Sequence, residues 1–315
     1  MHPVLFEIFN YPFYIYSLMI TMGCVAGIWL VVRYGKQVGI SQILLLDLCW
    51  WLILGGYLGA RIIFMIVNWE DHWYPCVDYE YYNSIRPDAH LESADCWPLM
   101  AVWSGGLVFY GAFLGGFLVL WWFTKRHKVR LLPIADALMP AFTIGQFFGR
   151  LGCLAAGCCW GKVTTLPWGI EFPRGSMVFR QHVEQNLLEV HAPHALPIHP
   201  TQLYDSLYGL GLFVALTWIR RHKRYHGQVF MWWLFLYPLM RSLVELFRGD
   251  SERGFITRVV HEPLNQLLGL PAGSTTFLST SQFISLAVVF CSGLGLIVIR
   301  NRLNRRERSL DQAQA

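Results

Sequence analysis

Four apolar stretches of this chain carry ionisable side chains, which are costly in such surroundings and for that reason mark a site. Arg241 and Glu245 are spaced i, i+4 and so share a helix face, with Arg248 a turn later. Arg150 lies within Gly149-Arg150-Leu151-Gly152-Cys153-Leu154-Ala155-Ala156-Gly157. Arg61 follows Gly59-Ala60, and His199-Pro200-Thr201-Gln202-Leu203-Tyr204-Asp205 opens another apolar run. Arginines in a low-dielectric setting suit an anionic phosphate such as a phospholipid headgroup, because their planar donors match its oxygens. Each residue also has a plainer reading. An arginine, Arg248 above all, can snorkel to the interface. Arg241 and Glu245 can be a purely structural pair, and Tyr16 can belong to an interfacial aromatic belt.

The elements that must position these groups are membrane helices. Of the 315 residues 55% are apolar and only 14% charged, against about 25% charged in soluble domains. Seven stretches approach the roughly 20 apolar residues that a span requires, near 14–33, 43–68, 99–123, 133–157, 200–219, 228–247 and 280–299. Those at 133–157 and 200–219 are the weakest, being rich in glycine or polar groups. The expected fold is an all-α integral membrane protein with about seven transmembrane helices. A single domain over 1–303 is expected, followed by a polar cytoplasmic tail over 304–315. A barrel is excluded because the stretches are continuous rather than alternating.

Basic clusters at Arg33/Lys36, Lys125–Arg130, Arg220–Arg224 and Arg300–Arg308 flank alternate spans and read as cytoplasmic. The net charge of +5 is thereby explained by topology rather than by nucleic acid. The loop near 69–98 carries Asp71, Asp78, Glu80, Asp88, Glu92 and Asp95 and reads as external, as does a second long loop near 158–199. The N-terminus is then outside and the C-terminus inside. No basic n-region or small-residue cleavage site marks the start, so no cleavable signal peptide is expected. With this topology Arg150, Arg241, Tyr16, Tyr110 and the His199–Asp205 run all fall toward the outer ends of their helices.

These residues, with Trp103-Ser104-Gly105-Gly106, Tyr110-Gly111, Trp160-Gly161 and Pro167-Trp168-Gly169 in order along nearly the whole chain, resemble the phosphatidylglycerol–prolipoprotein diacylglyceryl transferase family. The resemblance implies transfer of a diacylglyceryl group from phosphatidylglycerol to the lipobox cysteine of a prolipoprotein, in the bacterial cytoplasmic (inner) membrane. It implies phosphatidylglycerol, lipobox signal peptides and membrane lipids as partners, and no cofactor or metal. Arg150 and Arg241 would hold the phosphate and stabilise the leaving group. Tyr16, Arg61, Gly157, Gly161, Tyr204, Glu245 and Arg248 would line the substrate site. Two positions depart from the family pattern: Tyr110 stands where its histidine is found, and Cys153 where its asparagine is found. Tyr110 is expected to position substrate. His199 is the alternative base, and arginines that favour the thiolate could make a base unnecessary.

Two other functions fit the arginines. A transporter or flippase for an anionic lipid would use them as a transit site, although no inverted repeat is evident. A family member with an altered acceptor would fit the two departures. Cys76 and Cys96 bracket the acidic loop and are expected to pair in an oxidising exterior, the alternative being two free thiols. Cys153, Cys158 and Cys159 have neither a Cys-x-x-Cys nor a zinc-finger spacing, so no metal site is expected from their pattern.

Overall fold

The computed structural model describes residues 4–8, 11–86, 91–97, 106, 108–249 and 255–314. Trp103, Ser104, Gly105 and Asp88 lie outside the described residues. The chain divides into two compact units, Met1–Tyr34 with Leu132–Ala315, and Gly35–Leu131.

Helices occupy every expected span: α1 (Ile15–Lys36), α2 (Gln42–Val67), α5 (Phe109–Arg126), α6 (Leu131–Ala156), α8 (Thr201–Arg221), α9 (Gln228–Glu245) and α11 (Thr280–Gln314). Four of these, Ile15–Lys36, Gln42–Val67, Leu131–Ala156 and Thr280–Asn301, are long and apolar enough to cross a membrane by length and composition. The 133–157 stretch is thus stronger than its sequence suggested. The described part of α5 ends on Lys125 and Arg126, while α8 carries Gln202 and Asp205 and α9 carries Arg241 and Glu245. Those polar groups dilute the apolar signal of the remaining three helices. Outward-facing side chains on the spans are large and apolar, among them Val25, Trp29, Ile43, Val214, Trp218 and Phe290. A lipid surface explains that distribution, since the same patches would be costly in water.

Short elements fill the long loops: α3 (Trp69–Val77), α4 (Tyr79–Ile85), α7 (Met177–Glu184) and α10 (Glu262–Leu267). Two antiparallel hairpins, β1 (Val4–Ile8) with β2 (Tyr11–Tyr14) and β3 (Phe255–Val260) with β4 (Thr275–Ser279), were not expected in an all-helical chain. The run Ile256-Thr257-Arg258-Val259-Val260, β-branched at every position but Arg258, suits an extended backbone. Helix α11 continues through the polar segment after residue 303 to Gln314.

In the Gly35–Leu131 unit, α2 and α5 approach through glycines. A Cβ on Gly59 would strike the Gly111 carbonyl, and one on Gly115 would strike that of Gly55. Such contacts drive helix association in lipid through close packing rather than hydrophobicity. Ser41 starts α2 by accepting the Leu44 N–H at 3.3 Å. A disulfide joins Cys76 to Cys96, and Asn83 exchanges two hydrogen bonds with the Leu91 backbone at 2.8 and 3.0 Å.

In the other unit, α8 and α9 share a core of Tyr208, Leu212, Leu216, Val229, Trp233 and Val244. Asp136 of α6 sits beneath the start of α9, accepting the N–H groups of Gly227 at 2.9 Å and Phe230 at 3.1 Å and pairing with Lys223 at 2.8 Å. That buried carboxylate satisfies the orphan donors of α9 and complements its dipole. Ser206 ties α8 to the Phe147 carbonyl of α6 at 3.1 Å, and Ser292 ties α11 to the Leu234 carbonyl of α9 at 3.3 Å.

Candidate active site

The site begins where α6 ends. Gly157 stops the helix in the left-handed region, at φ +70°, a conformation open to glycine without steric cost. The following chain folds back over the start of α8. There Gln202 donates to the Cys158 carbonyl at 2.8 Å and Thr201 to that of Cys159 at 2.9 Å. Gly161 is then pressed between two backbones: a Cβ would meet the His199 carbonyl and, at 2.9 Å, that of Phe247. Hydrogen bonds from Lys162 N–H to the Phe247 carbonyl, His199 N–H to the Lys162 carbonyl and Gly249 N–H to the Trp160 carbonyl knit these three segments together, at 2.7, 2.9 and 3.2 Å.

This frame gathers the ends of four helices: the last turns of α6 and α9 and the first turns of α1 and α8. Arg150 Nε pairs with Asp205 Oδ2 across α6 and α8 at 3.1 Å, with the carboxylate almost wholly buried. No other hydrogen bond among the described residues engages the Arg150 guanidinium. Arg241 Nη2 pairs with Glu245 Oε2 at 2.8 Å, and Glu245 Oε1 accepts the hydroxyls of Ser281 at 2.9 Å and Ser279 at 3.3 Å. Arg241 Nη1 is buried with no hydrogen-bond partner among the described residues. Arg248, also buried, is bridged through its backbone to Gly161 and adds its charge near Cys159. Tyr16, at the start of α1, packs its ring against Gly152, two residues along α6 from Arg150.

His199 is fully buried. Its Nδ1 lies 3.2 Å from the Tyr204 hydroxyl, which accepts the Trp168 indole N–H at 2.9 Å. The His199 tautomer decides which of Nδ1 and the hydroxyl is the donor. Burial brings His199 down to about 4, with the Leu268 backbone opposing and Lys162 adding to the shift. The ring is neutral at physiological pH. Lys162, which the sequence did not single out, is brought down to about 8 by burial, against the pull of Glu245.

Tyr16, Arg150, Gly157, Gly161, His199, Tyr204, Arg241, Glu245 and Arg248 thus come together in one unit. Arg61 and Tyr110 belong to the other. There Arg61 is buried with its guanidinium 5.4 Å from the Phe64 ring centre. Tyr110 is half exposed in the first turn of α5. Sequence reasoning named Asp205 only as a carboxylate in passing and missed Ser279 and Ser281. An acid inside an apolar run was the available signal for Asp205, whereas hydroxyls at the junction of a strand and a helix give none.

Long apolar helices that carry arginine–carboxylate pairs near one end, the carboxylates buried, define a helical membrane protein with a polar site at that end of its helices. A family model described as prolipoprotein diacylglyceryl transferase matches residues 3–299, and the chain belongs to that family. It is 30% identical over 289 residues to a phosphatidylglycerol–prolipoprotein diacylglyceryl transferase of Clostridium tetani, covering 92% of this chain and 94% of that one. A second such enzyme, from Clostridium perfringens, is 29% identical over 98% of both chains. One from Serratia proteamaculans is 31% identical over 85% of this chain and 88% of its own.

Proposed function

We propose that this protein transfers the diacylglyceryl group of phosphatidylglycerol to the lipobox cysteine of a prolipoprotein, at the outer side of the bacterial cytoplasmic membrane. The N-terminus lies outside and the C-terminus inside, the orientation that puts the four basic loop and tail regions in the cytoplasm. The observation that carries the reading is the pair Arg150 and Arg241, each held by a buried carboxylate and each with donors that no group among the described residues claims.

The chemistry follows from those donors. The cysteine thiolate attacks the glycerol carbon that bears the phosphate. An S–C thioether bond forms, the C–O bond to phosphate breaks, and glycerol-1-phosphate leaves with the electron pair. The phosphate gains charge as it leaves. Guanidinium groups already in place stabilise that charge with little reorganisation, the largest single term in many enzymes. Arg150 and Arg241 have this role, and Arg248, Tyr16 and Arg61 bind the lipid. Gly157 and Gly161 permit the chain path, while Tyr204 and Glu245 brace the cations and His199.

The thiol proton needs an acceptor. His199, buried and at about 4, is too weak a base for a thiol of ordinary pKa near 8.5, which favours a positioning role for it. Lys162, at about 8, is matched to the thiol and belongs to the same knot of backbone. Tyr110 positions substrate through its hydroxyl.

The test is transfer of labelled glycerol lipid from phosphatidylglycerol to a lipobox peptide by purified protein. Wild type transfers; Arg150→Ala, shown folded by its helical circular dichroism, does not. A folded wild type that transfers nothing overturns the proposal.

A further inference from the structure

Three cysteines beside this site have no part in the transfer chemistry. The Sγ atoms of Cys153, Cys158 and Cys159 lie within 4.8 Å of one another. They are partly buried and free of disulfides. Their spacing in sequence does not predict this; the end of α6 produces it. Gly157 turns the chain at φ +70°, and Cys159 itself adopts φ +61°. For a residue with a side chain that conformation costs on the order of 1–3 kcal/mol and clusters at functional sites. It returns Cys159 to the level of Cys153, while the Cys158 thiol points at the Cys153 carbonyl, 3.8 Å away.

Thiolates are soft ligands that select d10 ions with no geometric demand of their own. With metal–sulfur bonds of about 2.3 Å, tetrahedral geometry sets sulfurs about 3.8 Å apart, so the trio needs only small side-chain rotations to close on an ion.

We propose that Cys153, Cys158 and Cys159 form a three-thiolate site for one divalent d10 metal ion of the zinc and cadmium class, with water as the fourth ligand. Binding releases the thiol protons to solvent and leaves a complex with one net negative charge. Arg150 and Arg248 neutralise that complex, which therefore competes with a phosphate for the same arginines. The site does not depend on the transferase reading.

The probe is Cd2+ added to the full-length protein, reduced and in detergent, and read by thiolate-to-cadmium charge-transfer absorption. One equivalent binds, and each of Cys153→Ser, Cys158→Ser and Cys159→Ser weakens binding by more than about tenfold. Cys24→Ser and Cys291→Ser leave it unchanged. A wild-type experiment removes dependence on the variants' folding: Zn2+ slows alkylation of Cys153, Cys158 and Cys159, read by peptide mass spectrometry, but not that of Cys24 or Cys291. Binding that survives loss of any one of the three thiols overturns the proposal, as does alkylation of the trio at the same rate with and without Zn2+.

Discussion

Asp205→Asn isolates the pairing that aims Arg150. The substitution keeps the shape of the side chain and an oxygen that can accept from Arg150 Nε at the observed 3.1 Å, but removes the charge. Hydrogen bonds to charged groups contribute about 1.5–3 kcal/mol, against about 0.5–1.5 for neutral ones. The guanidinium thus loses on the order of 1–2 kcal/mol of orientation, or roughly tenfold in rate, with each 1.4 kcal/mol worth a factor of ten. Asp205 is buried and engages Arg150 through Nε, and in the proposed reaction the phosphate takes the other guanidinium nitrogens, so removing a negative charge does not weaken ground-state attraction for the phosphate. The loss is therefore expected in kcat, with KM for phosphatidylglycerol unchanged or lower. The assay is the lipid-transfer reaction at varied phosphatidylglycerol in mixed micelles, with wild type and variant matched for folded fraction. A kcat within about twofold of wild type, or a loss confined to KM, refutes the orienting role.

Gly161→Ala is expected to destabilise the protein by about 1–3 kcal/mol and to abolish most transfer, since its Cβ would run into the backbones of His199 and Phe247; a wild-type melting temperature counts against that packing. His199 has its folded pKa depressed from 6.5 to about 4. As pH falls through that window the unfolded chain takes up a proton that the native ring refuses, so stability falls from about pH 6.5 and levels off near pH 4. His199→Gln should flatten that slope in thermal melts, and equal slopes in both proteins exclude His199 as its source. Removing the Cys76–Cys96 bridge, which closes a 20-residue separation, should cost roughly 3 kcal/mol on the chain-entropy account. Efficient labelling of both thiols in native wild type without reductant would contradict the bridge. Tyr110→Phe should lower transfer by more than a few-fold, and near-normal activity would remove the hydroxyl from the mechanism.

The membrane helices were legible because a span imposes some 20 residues of apolar sequence, a signal too long to be hidden by local detail. What escaped was short. Helices α3, α4 and α7 and the four strands contain 4 to 9 residues each, and their stability comes from caps, a disulfide and neighbouring backbone rather than from a hydropathy pattern. Ser176 capping α7 through the Phe179 N–H at 3.2 Å is one such contact.

The site was legible to the same extent and for the same reason. Arg150, Arg241 and Glu245 stand out because charge inside an apolar run has no cheap structural excuse. Lys162 lies in a loop and the two serines on Glu245 at the end of β4 and the start of α11, where polar residues are ordinary, and only the fold shows that they converge. Their convergence changes the electrical description. Arg150 and Arg241, paired with the buried carboxylates of Asp205 and Glu245, lie at one end of their helices. Pairing a largely buried guanidinium lowers the cost of holding it in a low-dielectric setting. A phosphodiester arrives with one negative charge, and the phosphate monoester that leaves can carry two. Guanidinium donors already in place therefore gain more from the product side of the bond cleavage than from the substrate side. A site so charged stabilises the transition state more than the bound lipid, the difference on which catalysis depends.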